Sequence, residues 1–558
     1  MKIVECVPNF SEGKDLSIIK QITNEIENIS GTMLLDVDPG AETNRTVVTF
    51  IGTPESVLES AFRAIKKASE LINMKNHKGE HPRMGATDVC PFIPVNGVTI
   101  EECVEISKKL GHRVADELNI PVYLYEYSAT EKKRESLAVI REGEYEGFKE
   151  KIKNPEWKPD FGKAEFNEKS GATVIGVRDF LIAYNINLNT RDTKLATKVA
   201  NAIREKGFPK RDSNGKLVKN EKNETLYEPG RLKECRAIGW YIDNYKIAQI
   251  SINLTKWKIT PPHIAFETAA EEAAKIGLKA IGSELVGLIP KDALIQAGEY
   301  FLKKQGKSVG VPEKELIHIA VKSLGLDNLY PFDMDRKIIE YAYKKNLRKN
   351  FLSEMKIRDF CDELSSDSPT PGGGSVAALN GSIASSLISM VANLTYMKKN
   401  YERYSEEVSD IASKAQKIKE SFLTLIDDDT EAFNNYMTVL KMPKKTDEEV
   451  KRRNELLDEA TKEATEVPLK TMSEVFALLD LLDRISIIGN VNSISDAGVG
   501  AINVLACAEG AYMNILINLK NLSDESYKKE KLSKANLMLE KIRGISEKVK
   551  KEVYSIIL

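Results

Sequence analysis

The stretch Arg-Thr-Val-Val-Thr-Phe-Ile at residues 45–51 leads into Thr-Pro-Glu-Ser-Val-Leu-Glu-Ser-Ala-Phe-Arg-Ala-Ile-Lys-Lys-Ala at 53–68. Its first part is rich in Val, Ile and Thr, which is typical of a strand. In its second part the apolar residues Val57, Ala61, Ala64, Ile65 and Ala68 recur at helical spacing. The chain therefore passes here from a predicted strand to a predicted helix.

Elements on either side of this junction extend the pattern. The predicted elements, in order, are a strand at 2–10, a helix at 15–29, strands at 32–37 and 45–51, a helix at 54–73 and a strand at 121–127. This β-α-β-β-α-β order is that of a split-βαβ, ferredoxin-like unit. The order recurs after Arg178 as strands at 180–188, 236–242, 246–254 and 284–289, with helices at 191–206 and 262–276. We therefore predict two ferredoxin-like subdomains, 1–179 and 180–330.

The pattern changes after residue 330, where strand signals nearly vanish. We predict a charged linker at 331–351 and a helical-bundle domain at 352–558, so the fold class is α+β followed by all-α. Residues 375–397 and 497–519 are long and apolar enough to span a bilayer. Their Ser, Asn and Gly content favours closely packed buried helices, and we predict no membrane span.

Composition narrows the class of protein. At 558 residues the chain is too long for a single hydrophobic core. The formal net charge of -2 gives no electrostatic case for nucleic acid or an anionic membrane. Six scattered cysteines with no Cys-x-x-Cys pair indicate reduced thiols, and the N-terminus does not resemble a signal peptide. We expect a cytoplasmic protein. The polar residues 210–225 are expected to form a mobile surface loop.

Two of the five histidines lie in His-Lys-Gly-Glu-His-Pro-Arg-Met-Gly-Ala-Thr-Asp at 77–88. Histidine titrates near neutral pH, and clustered titratable residues in a loop indicate proton-transfer chemistry. The four-residue spacing of His77 and His81 also fits metal binding. Pro82 and the lack of a third nearby ligand argue against a zinc helix.

Two further motifs lie in the helical region. Pro-Thr-Pro-Gly-Gly-Gly-Ser at 369–375 precedes a predicted helix, where it could bind an anion or allow close backbone approach. Leu-Ile-Asp-Asp-Asp-Thr-Glu-Ala-Phe at 425–433 carries four acids within an amphipathic helix. Such acids are either solvated or used in a site, and spacing alone does not choose between Asp427 and Asp429.

Taken together, these motifs resemble the bifunctional formimidoyltransferase-cyclodeaminase family, and the resemblance runs from end to end. The transferase half is matched by Val-Glu-Cys-Val-Pro-Asn-Phe-Ser-Glu-Gly (4–13), Thr-Asn-Arg-Thr-Val (43–47), Gly-Glu-His-Pro-Arg-Met-Gly-Ala (79–86), Asp-Val-Cys-Pro-Phe-Ile-Pro-Val (88–95) and Pro-Val-Tyr-Leu-Tyr (121–125). The cyclodeaminase half is matched by Pro-Gly-Gly-Gly-Ser-Val-Ala-Ala (371–378) and the acid-rich segment 427–433.

The resemblance implies substrates and site residues. It implies transfer of a formimidoyl group from formimidoylglutamate to tetrahydrofolate, then closure to 5,10-methenyltetrahydrofolate with loss of ammonia, as part of histidine breakdown. The catalytic residues it implies are His81 and Asp429, with Asp427 and Asp428 as supporting or solvated acids. His77 lies outside the most specific motif and is expected to be structural. The implied folate-binding residues are Gly162, Lys163, Ala164, Glu165, Phe166, Asn167, Glu168, Lys169, Ser170 and Gly171.

The resemblance also implies a metal-independent enzyme, polyglutamylated folate and a homo-oligomeric ring of dimers. Formimidoylglycine as donor, and methenyltetrahydrofolate cyclohydrolase activity in the helical domain, stay open as alternatives. A non-catalytic folate-binding scaffold is disfavoured because His81 and Asp429 are both present.

Overall fold

The computed structural model describes residues 2–40, 44–79, 82–220, 223–243, 245–346 and 351–558. The chain divides into two compact units, here called the first and the second unit. The first contains Met1–Leu294 and Val321–Arg348, and the second contains Ile295–Ala320 and Lys349–Leu558.

The first unit begins with a seven-stranded sheet. Its strands are β1 (Ile3–Cys6), β2 (Asn9–Phe10), β3 (Thr32–Gly40), β4 (Arg45–Gly52), β5 (Thr87–Asn96), β6 (Val122–Glu126) and β7 (Thr173–Val177). Its helices are α1 (Leu16–Glu27), α2 (Pro54–Leu71), α3 (Ile100–Leu118), α4 (Leu137–Ile140) and α5 (Glu144–Lys151). Strands β3, β4, β1 and β5 lie side by side and antiparallel. With α1 and α2 they confirm the ferredoxin-like order.

The strand that completes this order is β5 rather than the predicted strand at 121–127. The latter is present as β6, but it lies beyond β7 at the edge of the sheet, where the pairing is parallel. Pro91 and Pro94 argue against an interior strand because proline cannot donate a backbone hydrogen bond. The carbonyl of Pro91 nevertheless accepts from the Val7 amide at 3.2 Å, so β5 holds its central place through carbonyl groups.

One face of this sheet packs against α1, α2 and α3. Phe50, Cys90, Val57 and Ala61 are among the fully buried side chains of that core. The helix starts follow local sequence signals. Asp15 and Thr53 cap α1 and α2, and Thr99 forms a capping box with Glu102 at the start of α3.

The predicted duplication of architecture is confirmed. The strands after residue 180 are β8 (Ile182–Leu188), β9 (Phe208–Pro209), β10 (Tyr227–Glu228), β11 (Cys235–Ile242), β12 (Ile247–Leu254) and β13 (Ala280–Val286), with helices α6 (Thr193–Ile203) and α7 (Pro262–Ala274). An antiparallel sheet of order β11-β12-β8-β13 results. At the base of the polar segment 210–225, β9 pairs with β10.

Four helices follow, α8 (Lys291–Lys304), α9 (Glu313–Leu324), α10 (Met334–Lys337) and α11 (Ile339–Asn346). The last two lie in the predicted linker 331–351. Ile338, Ile339 and Tyr343 are buried, and the Tyr343 hydroxyl donates to the Gly31 carbonyl at 2.7 Å. The apolar side of this charged segment therefore folds onto the first unit.

The second unit contains the predicted helical bundle. Its helices are α12 (Ile357–Leu364), α13 (Gly373–Thr395), α14 (Ser405–Leu440), α15 (Asp447–Ile488), α16 (Ile494–Lys520) and α17 (Glu525–Ile557). Glycines bring α13 close to its neighbours, because a Cβ at Gly381 would lie 2.4 Å from the Phe422 ring and one at Gly510 would lie 3.0 Å from the Ala377 methyl. The predicted close packing of these two apolar helices is present.

Two helices in the described part of the chain, Gly373–Thr395 and Val491–Lys520, are long and apolar enough to cross a membrane. Within the single chain, 61% and 39% of their most apolar windows are buried. Each also exposes an apolar stripe, defined here as Ile383, Met390 and Leu394 on α13 and Val499, Ile502, Met513 and Ile517 on α16. The chain alone leaves these stripes uncovered.

Candidate active sites

The first candidate site lies around the loop 77–83. Its predicted catalytic residue, His81, and its neighbour Glu80 lie outside the described residues. His77 is buried, and its Nε2 lies 2.8 Å from the Asn44 carbonyl oxygen. Because a carbonyl only accepts, Nε2 carries the proton, and Nδ1 accepts from Arg83 Nε at 3.1 Å. Burial also lowers the pKa of His77, which favours this neutral form.

His77 is therefore a structural residue with both ring nitrogens engaged. Neither nitrogen is left to bind a metal ion, which removes the His77–His81 pairing considered from the sequence. Among the described residues no group of three or more His, Cys, Asp or Glu side chains is placed to hold a metal.

Arg83 fixes the end of the loop. Its buried guanidinium forms ion pairs with Glu144 at 2.8 Å and Glu146 at 2.7 Å, and donates to the His77 carbonyl at 3.2 Å. The Tyr145 amide donates back to the Arg83 carbonyl at 2.9 Å. Both ends of the segment that contains His81 are thus tied to each other and to α5. The sequence analysis missed this role of Arg83 because its partners lie about sixty residues away.

The predicted folate-binding stretch runs alongside the same segment. The Ala86 amide donates to the Ser170 carbonyl at 2.8 Å, and the Ala172 amide donates to the Met84 carbonyl at 3.1 Å. Gly171 has φ +68°, and a Cβ there would lie 2.1 Å from the Met84 carbonyl oxygen. Only glycine permits this approach. The structure therefore brings the C-terminal end of the 162–171 stretch against the residues that follow the 79–83 motif.

The interior of the stretch divides into two kinds of residue. Phe166 packs against Tyr145 and Phe148, with ring centroids 5.4 and 6.0 Å apart. Glu168 forms an ion pair with Lys75, and Lys169 Nζ donates to the Glu70 carbonyl at 2.8 Å. These partners explain the charged pair 168–169. The remaining exposed residues of the stretch are Gly162, Lys163, Ala164 and Glu165.

The second candidate site lies in the second unit, where three consecutive aspartates of α14 have different surroundings. Asp427 accepts from the Leu352 amide at 2.7 Å and from the Ser353 hydroxyl at 2.6 Å, which anchors the chain before α12. The pKa of Asp428 is raised by burial, and the charge of Lys470 opposes that rise. The contacts of Asp427 with Leu352 and Ser353 identify it as a structural residue.

Asp429 points at the first turn of α13. Its Oδ2 accepts from the Ser375 hydroxyl at 2.9 Å. Burial raises the pKa of Asp429, while the Ser375 hydroxyl and backbone N–H act in the opposite direction. A half-buried carboxyl group with a raised pKa is suited to accept and return a proton, and both Asp428 and Asp429 have this property. Asp429 differs from Asp428 in its contact with the glycine-rich first turn of α13.

The glycine run explains how the carboxylate approaches the helix. A Cβ at Gly374 would lie 2.1 Å from Asp429 Oδ1, whereas a Cβ at Gly373 would have only Asn514 Nδ2 nearby, at 3.7 Å. Two roles were predicted for 369–375, anion binding and close backbone approach. The structure shows close approach, and the group that approaches the backbone is the Asp429 carboxylate. Asn514 of α16 borders the site and was missed, because a lone asparagine in an apolar helix gives no signal.

Gly374→Ala is expected to lower the rate of the ammonia-releasing reaction that the sequence resemblance implies at least about tenfold, because the added methyl group displaces the Asp429 carboxylate. Gly373→Ala is the matched control, since its methyl group meets only ordinary contact distances and should leave turnover unchanged. Ammonia release from 5-formimidoyltetrahydrofolate measures both. Equal losses in the two variants would show that the effect is not steric crowding of Asp429.

Comparisons with known proteins match the first and the last parts of the chain separately as well as the whole chain. Family models match residues 3–178 (Formiminotransferase domain, N-terminal subdomain), 183–344 (Formiminotransferase domain) and 356–537 (Formiminotransferase-cyclodeaminase). The formimidoyltransferase-cyclodeaminase of Mus musculus is 41% identical over 97% of each chain. The glutamate formimidoyltransferase of Streptococcus pyogenes is 42% identical over 54% of this chain and 94% of its own length.

The helical part has a separate relative. The methenyltetrahydrofolate cyclohydrolase of Methylorubrum extorquens is 36% identical over 36% of this chain and 96% of its own length. Single-function relatives thus match the two parts separately, while the mouse protein spans both. The chain belongs to the formimidoyltransferase-cyclodeaminase family of bifunctional enzymes.

Proposed function

We propose that the chain transfers the formimidoyl group of formimidoylglutamate to N5 of tetrahydrofolate and then converts the product to 5,10-methenyltetrahydrofolate. In the first reaction, N5 attacks the amidine carbon and the bond from that carbon to the glutamate nitrogen breaks. In the second, N10 attacks the same carbon and ammonia leaves. The observation that carries the proposal is the contact between residues 170–172 and 84–86, which joins the predicted folate stretch to the histidine loop.

His81 would act in the transfer reaction. It would take the proton released by the attacking N5 and return a proton to the departing glutamate amine. Asp429 would act in the second reaction, where it would accept the N10 proton and supply one to the leaving ammonia. The contact of Asp429 with Ser375 places this acid beside the opening helix turn of α13.

Donor and product assays test the function. The chain is incubated with tetrahydrofolate and either formimidoylglutamate or formimidoylglycine, and methenyl formation and ammonia release are followed separately. We expect turnover with formimidoylglutamate and one ammonia per methenyl group. Turnover with formimidoylglycine alone would contradict formimidoylglutamate as the donor. Hydrolysis of supplied methenyltetrahydrofolate without any deamination would favour the cyclohydrolase alternative.

We propose further that the enzyme acts in cytoplasmic histidine breakdown, without a metal ion, on polyglutamylated tetrahydrofolate. Activity after exhaustive chelation tests metal independence. Comparison of mono- and pentaglutamyl tetrahydrofolate tests whether the enzyme binds the polyglutamate tail, since binding of the tail would lower the KM. Cell fractionation tests the location.

Homo-oligomer formation as a ring of dimers is also proposed. The apolar stripes of α13 and α16 support it, because exposed apolar patches of this kind typically mark interaction surfaces. Ile517→Glu, in the α16 stripe, is expected to reduce the assembly mass measured by sedimentation. Leu537→Glu, which changes an exposed apolar residue of α17, is the control and should leave the mass unchanged. A monomeric wild-type chain would contradict the proposal.

A further inference from the structure

A polar strip lies on one face of the four-stranded sheet of the first unit. Side chains alternate between the two faces of a strand, so Asn185 and Asn187 of β8 share one face. Gln249 lies directly opposite Asn187, and Glu284 lies opposite Asn185. Ile182, Tyr184 and Ile186 point to the other face. These three side chains are buried, as are Asn185, Asn187 and Gln249 of the strip, whereas Glu284 is partly exposed. The strip therefore collects three amides and one carboxylate on neighbouring strands.

Glu284 is the centre of the strip. Its Oε1 accepts from the hydroxyl groups of Tyr245 and Tyr330, both at 3.2 Å. Its Oε2 accepts from Gln249 Nε2 at 3.2 Å and from Asn185 Nδ2 at 3.5 Å. All four donors are neutral, and all four distances are longer than those of strong hydrogen bonds to a carboxylate.

The four donors to Glu284 carry no positive charge. Within the described part of the chain no lysine or arginine forms an ion pair with Glu284, whereas Glu272 of the same subdomain pairs with both Arg231 and Lys275 at 2.7 Å. Burial, with the charge of Glu284 as the next cause, raises the pKa of Tyr330 to about 12. The tyrosine hydroxyl therefore stays protonated and continues to face the carboxylate. A partly buried carboxylate in this setting is best stabilised by a cationic donor from outside.

Aromatic and amide groups complete the surroundings. Trp240 is part of the strip, is 38% exposed, and donates from Nε1 to Gln249 Oε1 at 3.1 Å. That bond fixes the Gln249 amide so that its nitrogen points toward Asn187, at 2.8 Å, and Glu284. The four neutral donors already occupy both oxygens of Glu284, so a flat ligand with two parallel N–H groups would replace these long hydrogen bonds with a bidentate pair.

We propose that Glu284 binds an amidine-type group, in which one carbon carries two nitrogen donors. This inference rests on the proposed function, because both of its substrates contain such a group. One is the cationic formimidoyl group of the donor amino acid. The other is the edge of the pterin ring formed by its 2-amino group and N3. Neither has a residue assigned to it in the sites described above.

Equilibrium binding tests the proposal. Glu284→Gln keeps the side-chain size and an oxygen for the tyrosines but removes the charge. Loss of a charge-assisted bidentate contact is expected to weaken amidine binding about 10- to 100-fold. Glu272→Gln, which removes a paired carboxylate of α7, is the matched control and should bind as the wild type does. Calorimetry and Trp240 fluorescence, with Trp240→Phe as the blank, give the affinities.

The probes distinguish the two sources. Formimidoylglutamate is compared with N-formylglutamate, in which a neutral formyl oxygen replaces the cationic nitrogen. A loss confined to formimidoylglutamate supports the donor as ligand, and a loss confined to tetrahydrofolate, absent with its 2-deamino analogue, supports the pterin edge. Unchanged affinity for both substrates in Glu284→Gln overturns the proposal.

Failure of the proposed function is separable from failure of this inference. Formamidine carries the amidine group alone, so its binding to Glu284 is measured whether or not the chain transfers a formimidoyl group. If the wild type transfers the group and Glu284→Gln binds every probe normally, only the assignment of Glu284 fails. A Tm and a circular dichroism spectrum equal to those of the wild type show that the first unit, which contains Glu284, is folded in the variant.

Discussion

Asp429→Asn is expected to stop ammonia release from 5-formimidoyltetrahydrofolate while formimidoyl transfer continues at the wild-type rate. Asparagine keeps an oxygen that accepts from the Ser375 hydroxyl, which is 2.9 Å away, but it cannot take up a proton. General acid–base groups typically contribute about 10²- to 10⁴-fold, so kcat for the second reaction should fall by that factor. The two products are measured separately in one incubation.

The direction in which the cyclodeaminase rate changes with pH follows from the pKa of Asp429. Burial raises the pKa of Asp429, and a base must be deprotonated to act. The cyclodeaminase rate is therefore expected to fall as the solution becomes more acidic. The midpoint of this fall should lie above the ordinary aspartate pKa of about 3.9. The raised pKa favours the protonated group in the folded state, so its contribution to stability is present at low pH and is lost as the pH rises through the folded pKa. Asp429→Asn should consequently not lower the Tm at neutral pH.

Asp427→Ala is the control for this assignment. It removes the acceptor of the Leu352 amide and the Ser353 hydroxyl, which is equivalent to losing a helix cap and costs about 1–2 kcal/mol. The Tm should fall while the turnover of the folded protein is retained. If Asp427→Ala stopped ammonia release and Asp429→Asn did not, the roles of the two acids would have to be exchanged.

The three aspartates also show what sequence could not provide. They are consecutive, so the residues next to them in the sequence are nearly the same for all three and do not distinguish them. The distinction depends on Leu352 and Ser353, 75 and 74 residues from Asp427, and on Ser375, 54 residues from Asp429. Only the packing of α14 against these segments separates Asp427, which caps the chain at Leu352, from Asp429, which contacts the first turn of α13. The assignment of proton transfer to Asp429 rests on the family motif and stays a prediction.

The fold shows the same division between local and distant information. Helix α2 and strand β4 were predicted because their spacing is encoded within about twenty residues. Strand β5 was missed because its prolines and Asp88 are atypical of an interior strand, and its place depends on β1 and β7. Likewise, the fixed tautomer of His77 depends on Asn44 and Arg83, which no count of histidines reveals.

His81→Ala is expected to lower formimidoyl transfer by about 10²- to 10⁴-fold and to leave deamination of supplied 5-formimidoyltetrahydrofolate intact. The sequence motif places the residue between His77 and Arg83, whose contacts fix the two ends of the segment. His77 itself is excluded as the proton carrier, because both of its ring nitrogens are engaged and its pKa is lowered by burial. Methenyl formation from formimidoylglutamate and ammonia release from supplied 5-formimidoyltetrahydrofolate, measured separately, check both expectations.

His77→Ala is the informative comparison, since it also removes an imidazole from the loop but for a different reason. The buried Arg83 Nε and the Asn44 carbonyl would lose their partners, and an unsatisfied buried polar group costs about 1–3 kcal/mol. The Tm should therefore fall in His77→Ala, whereas His81→Ala should lose the proton carrier without losing these contacts. Added imidazole supplies a proton acceptor but no tether, so it should restore part of the transfer rate in His81→Ala and none in His77→Ala. If imidazole restored the transfer rate of His77→Ala and not that of His81→Ala, the proton carrier would be His77 and the assignment to His81 would be wrong.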